Sequence, residues 1–322
     1  MILGIECTAH TFGISLVHKG KVLVNIRDMY KPLQGGIIPM ECARHHTGIA
    51  QTLYNKALQE AKVEEKNIEA IALSNAPGLA PCLIAGLKFA KEKAKFLNIP
   101  IIPVNHCIAH LEIGQYGGAR DPILLYASGA NTQIIGFASG KYRVFGETLD
   151  IGVGNFLDKF ARSVGIPFPG GPTIEKKALK GKYLELPYTL KGMDVSFSGL
   201  YTKALQLSKS GIILQDICFS LQETAFAMLV EAAERALAHT GKKELVLGGG
   251  VACNARLQEM CKIMCKERNA KYFCPKKEFL VDNAAMIAYT GELMFNAGVK
   301  EKPESVDIKP RERTDEVNVI WR

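Results

Sequence analysis

Residues 2–23 read ILGIECTAHTFGISLVHKGKVL, and Ile123 to Val144 read ILLYASGANTQIIGFASGKYRV, about 120 residues further on. Both stretches run strand, polar turn, strand, a second turn at Gly-Lys, then a third strand. The first turn is built from small and hydrogen-bonding residues in each copy: Cys7-Thr8-Ala9-His10-Thr11, and Ser128-Gly129-Ala130-Asn131-Thr132-Gln133. Small residues let the backbone come close to a ligand, and successive amide N–H groups can hold phosphate oxygens. Placement near the start of each half makes duplication of one lobe a better account than two chance hairpins. The expected domains are therefore residues 1–122 and 123–322, with the extreme C-terminus packing back on the first lobe.

Helical and strand patterns alternate after each hairpin. Glu41 to Lys66 carries apolar residues at helical spacing, IEAIALSNAPG returns to a strand, and Leu83 to Leu97 reads as a second helix. In the second half Asn155 to Val164 is expected to be helical, GIPFPGG at 165–171 is a loop, and Gln215 to Thr240 forms a long amphipathic helix. The strand ELVL then runs into Gly248-Gly249-Gly250 and a helix from about Asn254. Alternating strands and helices make the class α/β. Neither GxGxxG nor GxxxxGK[ST] occurs, which argues against a Rossmann dehydrogenase and a P-loop NTPase.

The bulk properties agree with a folded protein with a large core. The chain has 322 residues, 48% of them hydrophobic, a mean hydropathy of +0.05 and a net charge of +8. A basic balance favours polyanionic partners, with local excesses at Lys88 to Lys95, Lys176 to Lys182 and Lys309 to Arg313. Nine scattered cysteines without a CxxC pair fit a reducing cytoplasm; Cys261 and Cys265, one turn apart, form a weak candidate metal pair. No apolar run is long enough for a membrane span, and MILGIEC reads as a buried strand.

His106 and His110, in PVNHCIAH, share one helix face and form half of a metal site. Taken alone the pair fits a packing role somewhat better than a metal. The segment HCIAH also lacks the glutamate of HExxH, which removes the general base of that metallopeptidase arrangement.

The segments NHCIAH, SGANTQ, FGETLDIGVGN, FPGGPTIE, GMDVSFSGL, QETAFAMLVE, GGGVACNARL and DNAAMIAY occur in this order over most of the chain. Together they closely resemble the Kae1/TsaD/Qri7 family, once described as O-sialoglycoprotein endopeptidases. YASGA and the RTDEV tail resemble its archaeal or eukaryotic branch. The resemblance implies the actin–Hsp70–sugar-kinase fold, with two related lobes around a nucleotide cleft. It implies a metal-dependent tRNA N6-adenosine threonylcarbamoyltransferase, which moves threonylcarbamoyl from L-threonylcarbamoyladenylate to N6 of adenosine 37 in tRNAs reading codons that begin with A. Expected partners are tRNA and a KEOPS complex with a Bud32-type small protein kinase and Pcc1-type and Cgi121-type subunits.

Carried over residue by residue, the resemblance gives His106, His110, Tyr126 and Asp282 as ligands of one divalent metal. Two imidazoles with a phenolate and a carboxylate suit iron or zinc better than magnesium. Thr8, Ala9, His10 and Thr11 correspond to the phosphate end of the site, with His10 close to phosphate or the transferred group; His106, His110 and His10 are the candidate catalytic residues. Tyr126, Ala127, Ser128, Gly129, Ala130 and Asn131 shape the second turn, where Ala130 replaces the second glycine of the commoner SGGNTQ. Asp158, Gly171 and Glu175 fall near ribose and base, and Gly249, Gly250 and Asn254 on another side of an adenine-nucleotide or threonylcarbamoyladenylate pocket. The family pattern around GGIIPMECARHH often has histidine where this chain has Ile38, so a second metal cluster in that loop is not expected. His45 and His46 cannot share a helix face, and one of them is expected simply to cap or pack. A nucleotide-hydrolysing or kinase-like member of the same fold is the alternative, although it leaves the His-Tyr-Asp set unexplained.

Overall fold

The computed structural model describes residues 1–32 and 36–322; Gly35, the first residue of the GGIIPM stretch, lies outside the described residues. The chain divides into two compact units. The first comprises Met1–Tyr116, Ala138–Tyr142 and Asp282–Arg322; the second comprises Gly117–Phe137 and Arg143–Val281.

In the first unit β1 (Ile2–Glu6), β2 (Thr11–His18) and β3 (Lys21–Met29) form the expected antiparallel meander. Helix α1 (Pro39–Ala61) leads to β4 (Ala70–Ala76), and α2 (Ala80–Leu97) to β5 (Ile101–Asn105). The sheet order is β3-β2-β1-β4-β5, with β1, β4 and β5 parallel. Parallel strands need covered faces. One face packs on α1 and α2 through Leu3, Ile5, Ile14, Tyr54 and Leu83. Helix α3 (His106–Tyr116) follows β5 directly.

The second unit repeats this plan. Strands β6 (Ile123–Ala127), β7 (Thr132–Ala138) and β8 (Lys141–Glu147) form the meander. Helices α4 (Val153–Ser163) and α5 (Gly171–Ala178) follow, then the short pair β9 (Leu190–Lys191) and β10 (Asp194–Val195). Helices α6 (Ser198–Lys209) and α7 (Leu214–Thr240) lead to β11 (Glu244–Gly248). Helix α8 (Ala255–Glu267) leads to β12 (Lys271–Phe273), and α9 (Lys277–Leu280) closes the unit. The sheet order, β12-β11-β6-β7-β8, matches the first sheet strand for strand. Its core is centred on α7, with Phe156 and Phe197 stacked at 5.3 Å.

The last helix, α10 (Ala284–Asn296), belongs to the first unit, where it packs on β1, β2, β4 and α3. The division thus differs from residues 1–122 and 123–322 in that everything from Asp282 onward counts with the first unit. The reason is steric fit. A Cβ on Gly4 would lie 2.4 Å from the Ala284 carbonyl, and one on Gly291 would lie 2.3 Å from the Ala72 Cβ. Glycines on strand and helix therefore allow a contact too close for any side chain. Farther along, Arg322 Nε donates to the fully buried Glu112 at 2.9 Å, and its guanidinium stands 5.8 Å from the Tyr142 ring centroid. Among the described residues, no helix is long and apolar enough to cross a membrane.

Candidate functional site

Three side chains of the first unit meet at the end of β5. Asn105 caps α3, its Oδ1 accepting from the amides of Cys107 (3.1 Å) and Ile108 (3.3 Å). The cap fixes the helix start, so the four-residue spacing places the His106 and His110 rings 4.8 Å apart. Asp282 arrives from a distant part of the sequence, two residues before the start of α10. Its Oδ1 lies 3.3 Å from His106 Nε2 and 3.6 Å from His110 Nε2. The cap of α10 is Asn283, whose side chain accepts from the Met286 amide at 3.0 Å, so Asp282 is spared that duty.

The set fits a metal ion. Ligands about 2.0–2.2 Å from a tetrahedral ion stand roughly 3.4 Å from each other, close to both separations. Two imidazoles and one carboxylate also suit zinc or iron better than a cation needing an oxygen cage. Burial works against the Asp282 charge, but His106 beside it and hydrogen bonds from both histidines hold the carboxyl well below its usual range. Burial likewise lowers His110, against the pull of Asp282, and keeps that ring neutral as a ligand requires.

Glu6, which the sequence reading passed over inside a buried strand, completes the arrangement. It is fully buried, and its Oε2 takes His106 Nδ1 at 2.9 Å. Its Oε1 accepts from the Thr8 amide (2.8 Å) and hydroxyl (2.5 Å). A carboxylate on the far nitrogen fixes tautomer and orientation and leaves Nε2 as the donor. A charged residue in an apolar strand, immediately before the polar turn, was the available signal. Thr8 is thus tied to the histidine network, with its hydroxyl 3.3 Å from His106 Nδ1. Thr11 is buried at the start of β2, and Ala9 and His10 are half-buried at the turn. His45 lies 3.0 Å from Asp28, while His46 is wholly buried and packs on Phe12.

Tyr126 is carried by β6 of the second unit, buried, in register with Gln133 and Gly248. The turn after it closes on itself: the Ser128 amide donates to the Asn131 carbonyl at 2.9 Å, and the Asn131 amide to Ser128 Oγ at 3.1 Å. The turn rests on the head of α4, whose Gly154 and Asn155 amides donate to the Ser128 and Gly129 carbonyls. Ala130 is not among the positive-φ residues, so alanine serves where glycine is common. Gly249 (φ +93°) passes so close that a Cβ would lie 2.3 Å from the Ala127 carbonyl. Gly129, Ala130 and Gly250 form an exposed small-residue surface.

Asp158 Oδ1 accepts from the Gly170 amide at 2.7 Å, beside Gly171. Glu175 Oε1 accepts from the Ala255 amide at 2.8 Å. Asn254 caps α8 through the amides of Arg256 and Leu257 and donates to Gln222 at 2.9 Å. These residues converge, but each also holds its own loop in place.

Two mixed sheets of identical order, each opened by a three-strand meander, define the actin–Hsp70–sugar-kinase fold. Solved structures agree: HypF of T. kodakarensis (TM-score 0.66, 16% identity, 95% of this chain and 49% of that one). The (R)-2-hydroxyglutaryl-CoA dehydratase component A of Acidaminococcus fermentans is also similar (TM-score 0.55, 12% identity, 90% and 97%). Residues 21–289 match the TsaD model, tRNA N6-adenosine threonylcarbamoyltransferase, and the chain belongs to that family. The protein of that name from Thermococcus sibiricus is 54% identical over 99% of both chains. A probable bifunctional tRNA threonylcarbamoyladenosine biosynthesis protein from Methanosarcina acetivorans is 52% identical over 99% of this chain and 59% of its own length.

Proposed function

We propose that the chain transfers threonylcarbamoyl from L-threonylcarbamoyladenylate to N6 of adenosine 37 in tRNAs reading codons that begin with A, releasing AMP. The observation that carries the reading, within a chain of this family, is the convergence of His106, His110 and Asp282 under the orienting Glu6. These three residues would hold one divalent ion, iron or zinc, which would bind the threonylcarbamoyl group and draw charge from it. The part of Tyr126 as a further donor rests on the family resemblance alone.

The new bond joins adenine N6 to the donor carbonyl carbon, and the bond to the AMP phosphate breaks. That amine is a weak nucleophile, so orientation and charge stabilisation must do most of the catalysis. The amides of Gly129 and Ala130, at the exposed tip of their turn, make none of its internal hydrogen bonds and suit a departing phosphate. His10, half-buried in the corresponding first-unit turn, would add a donor for the phosphate or the acyl group. Asp158, Glu175 and the glycines of 171 and 249–250 would line the nucleoside pocket.

For tRNA, the stretch 176–182 is the favoured surface. Lys176, Lys180 and Lys182 are exposed, next to Leu179 (82% exposed) and Tyr183 (55%). Among the described residues none of these lysines has a carboxylate within ion-pair distance, whereas Lys95 pairs with Glu304 and Lys309 with Glu312. Free cations interleaved with apolar and aromatic groups suit a phosphate backbone with unstacked bases. The bifunctional relative supports a closely associated partner, and a KEOPS-type assembly with a small kinase and accessory subunits is the one proposed.

The test is transfer of labelled threonylcarbamoyl from the adenylate to unmodified tRNA, with those partners present and nucleosides resolved. Label on adenosine 37 with the intact chain, lost in His106→Ala and His110→Ala, is the expected result. ATP turnover without tRNA-dependent product would replace this reading by a nucleotide-hydrolysing one.

A further inference from the structure

A second cluster lies in the first unit, outside the residues used above. Cys42 and His46 occupy successive turns at the head of α1, and Cys82 is the third residue of α2. All three are fully buried, and one donor atom from each lies within 4.8 Å of the others. Cys42 Sγ is 3.8 Å from His46 Nε2. The Ala9 carbonyl stands 3.1 Å from Cys42 Sγ and 2.8 Å from His46 Nε2. Among the described residues His46 Nδ1, which is buried, has no hydrogen-bond partner, and the polar contacts of the ring with Cys42 and Ala9 are made through Nε2 on the cluster side.

We propose that Cys42, His46 and Cys82 form a structural site for a thiophilic divalent cation of the zinc class, with the Ala9 carbonyl as fourth neighbour. Sulfur ligands at about 2.3 Å and nitrogen at about 2.0–2.1 Å around a tetrahedral ion stand roughly 3.6–3.8 Å apart, which is the spacing of the Cys42–His46 pair. Two thiolates balance a divalent ion, leaving a neutral unit that is tolerable in a core from which single charges are excluded. Magnesium or calcium would find a single oxygen there.

Among the described residues, Cys261 and Cys265 join no third donor, so the pair suspected from the sequence is the weaker one. The stretch passed over because it has Ile38 acquires its donors from Cys42 and, across the helix pair, Cys82.

A bound ion would tie the heads of α1 and α2 to the turn bearing Thr8, and so brace the residues that hold Glu6 and His106. The experiment uses the full chain, stripped with chelator under reducing conditions and titrated with cobalt(II). The His106–His110–Asp282 set contains no sulfur, so thiolate-to-cobalt absorption in the near ultraviolet reports a cysteine site, and the Cys42 and Cys82 substitutions say which one. The expected result is one equivalent giving that absorption, retained in His106→Ala and abolished in both Cys42→Ser and Cys82→Ser. Zinc should also shield Cys42 and Cys82 of the unaltered chain from alkylation, a readout independent of how the variants fold. Folded protein without the sulfur absorption, or absorption that survives both substitutions, would overturn the site.

Discussion

Glu6 Oε2 and His106 Nδ1 lie 2.9 Å apart, and the two residues are 100 positions apart in the chain. The contact joins the end of β1 to the start of α3 and leaves Nε2 as the imidazole nitrogen that would bind the proposed metal. Glu6→Ala is expected to weaken zinc or iron binding about 10- to 100-fold. Competition against a chromophoric chelator would measure it. Glu6→Gln should retain part of the affinity, because an amide oxygen still accepts from Nδ1–H.

Charge reversal at Lys176, Lys180 and Lys182 is expected to weaken tRNA binding while leaving metal content unchanged. Each lost phosphate contact should lower the slope of log affinity against log salt by about 1. Filter binding over a salt series reads both quantities. Equal affinity and slope in the variant would move the RNA surface elsewhere.

Arg322→Ala should destabilise the first unit by about 3 kcal/mol, because it strands the fully buried Glu112 carboxylate. Burial already raises the Glu112 carboxyl, against the opposing pull of Arg322. Adding Glu112→Gln to that variant should recover much of the loss, since a neutral amide needs no counter-charge. Urea denaturation of the two single variants and the double variant closes the cycle.

Asp150 organises the segment before α6. Burial opposes its charge, but donors from Ser196, Phe197 and Ser198 outweigh it and hold the carboxyl below its usual range. A carboxyl whose folded value is depressed releases its proton more readily in the native state. Its contribution is therefore complete above the unfolded carboxylate range, near pH 4, and is lost as the pH falls further. Asp150→Asn should lower the thermal midpoint at pH 7 modestly, given solvent screening, and the gap from the parent should begin to narrow only as the pH falls below 4.

Most of the fold could be read from period and punctuation. The paired hairpins announced the two sheets, and the expected helices 83–97 and 155–164 fall within three residues of α2 and α4. The placement of α10 was illegible because AAMIAYTGELM is apolar on nearly every face, so no stripe says what it covers; Gly4 and Gly291 decide that in three dimensions. The same limit hid Glu6 and the Cys42–His46–Cys82 group. Their meaning depends on residues brought together from segments tens of positions apart, and local spacing carries no trace of that.

Residues Met1–Tyr116 and Asp282–Arg322 belong to one body, with 165 intervening residues that mostly fold elsewhere. During synthesis the first sheet therefore emerges before its closing helix and Asp282, which follow only after the second unit has been made. Contacts of such long separation form late. A truncated or stalled product would expose β1 and β4 where α10 should lie and would lack Asp282, one of the three proposed metal donors. Such a product would be both inactive and prone to stick, so premature termination yields no half-competent enzyme.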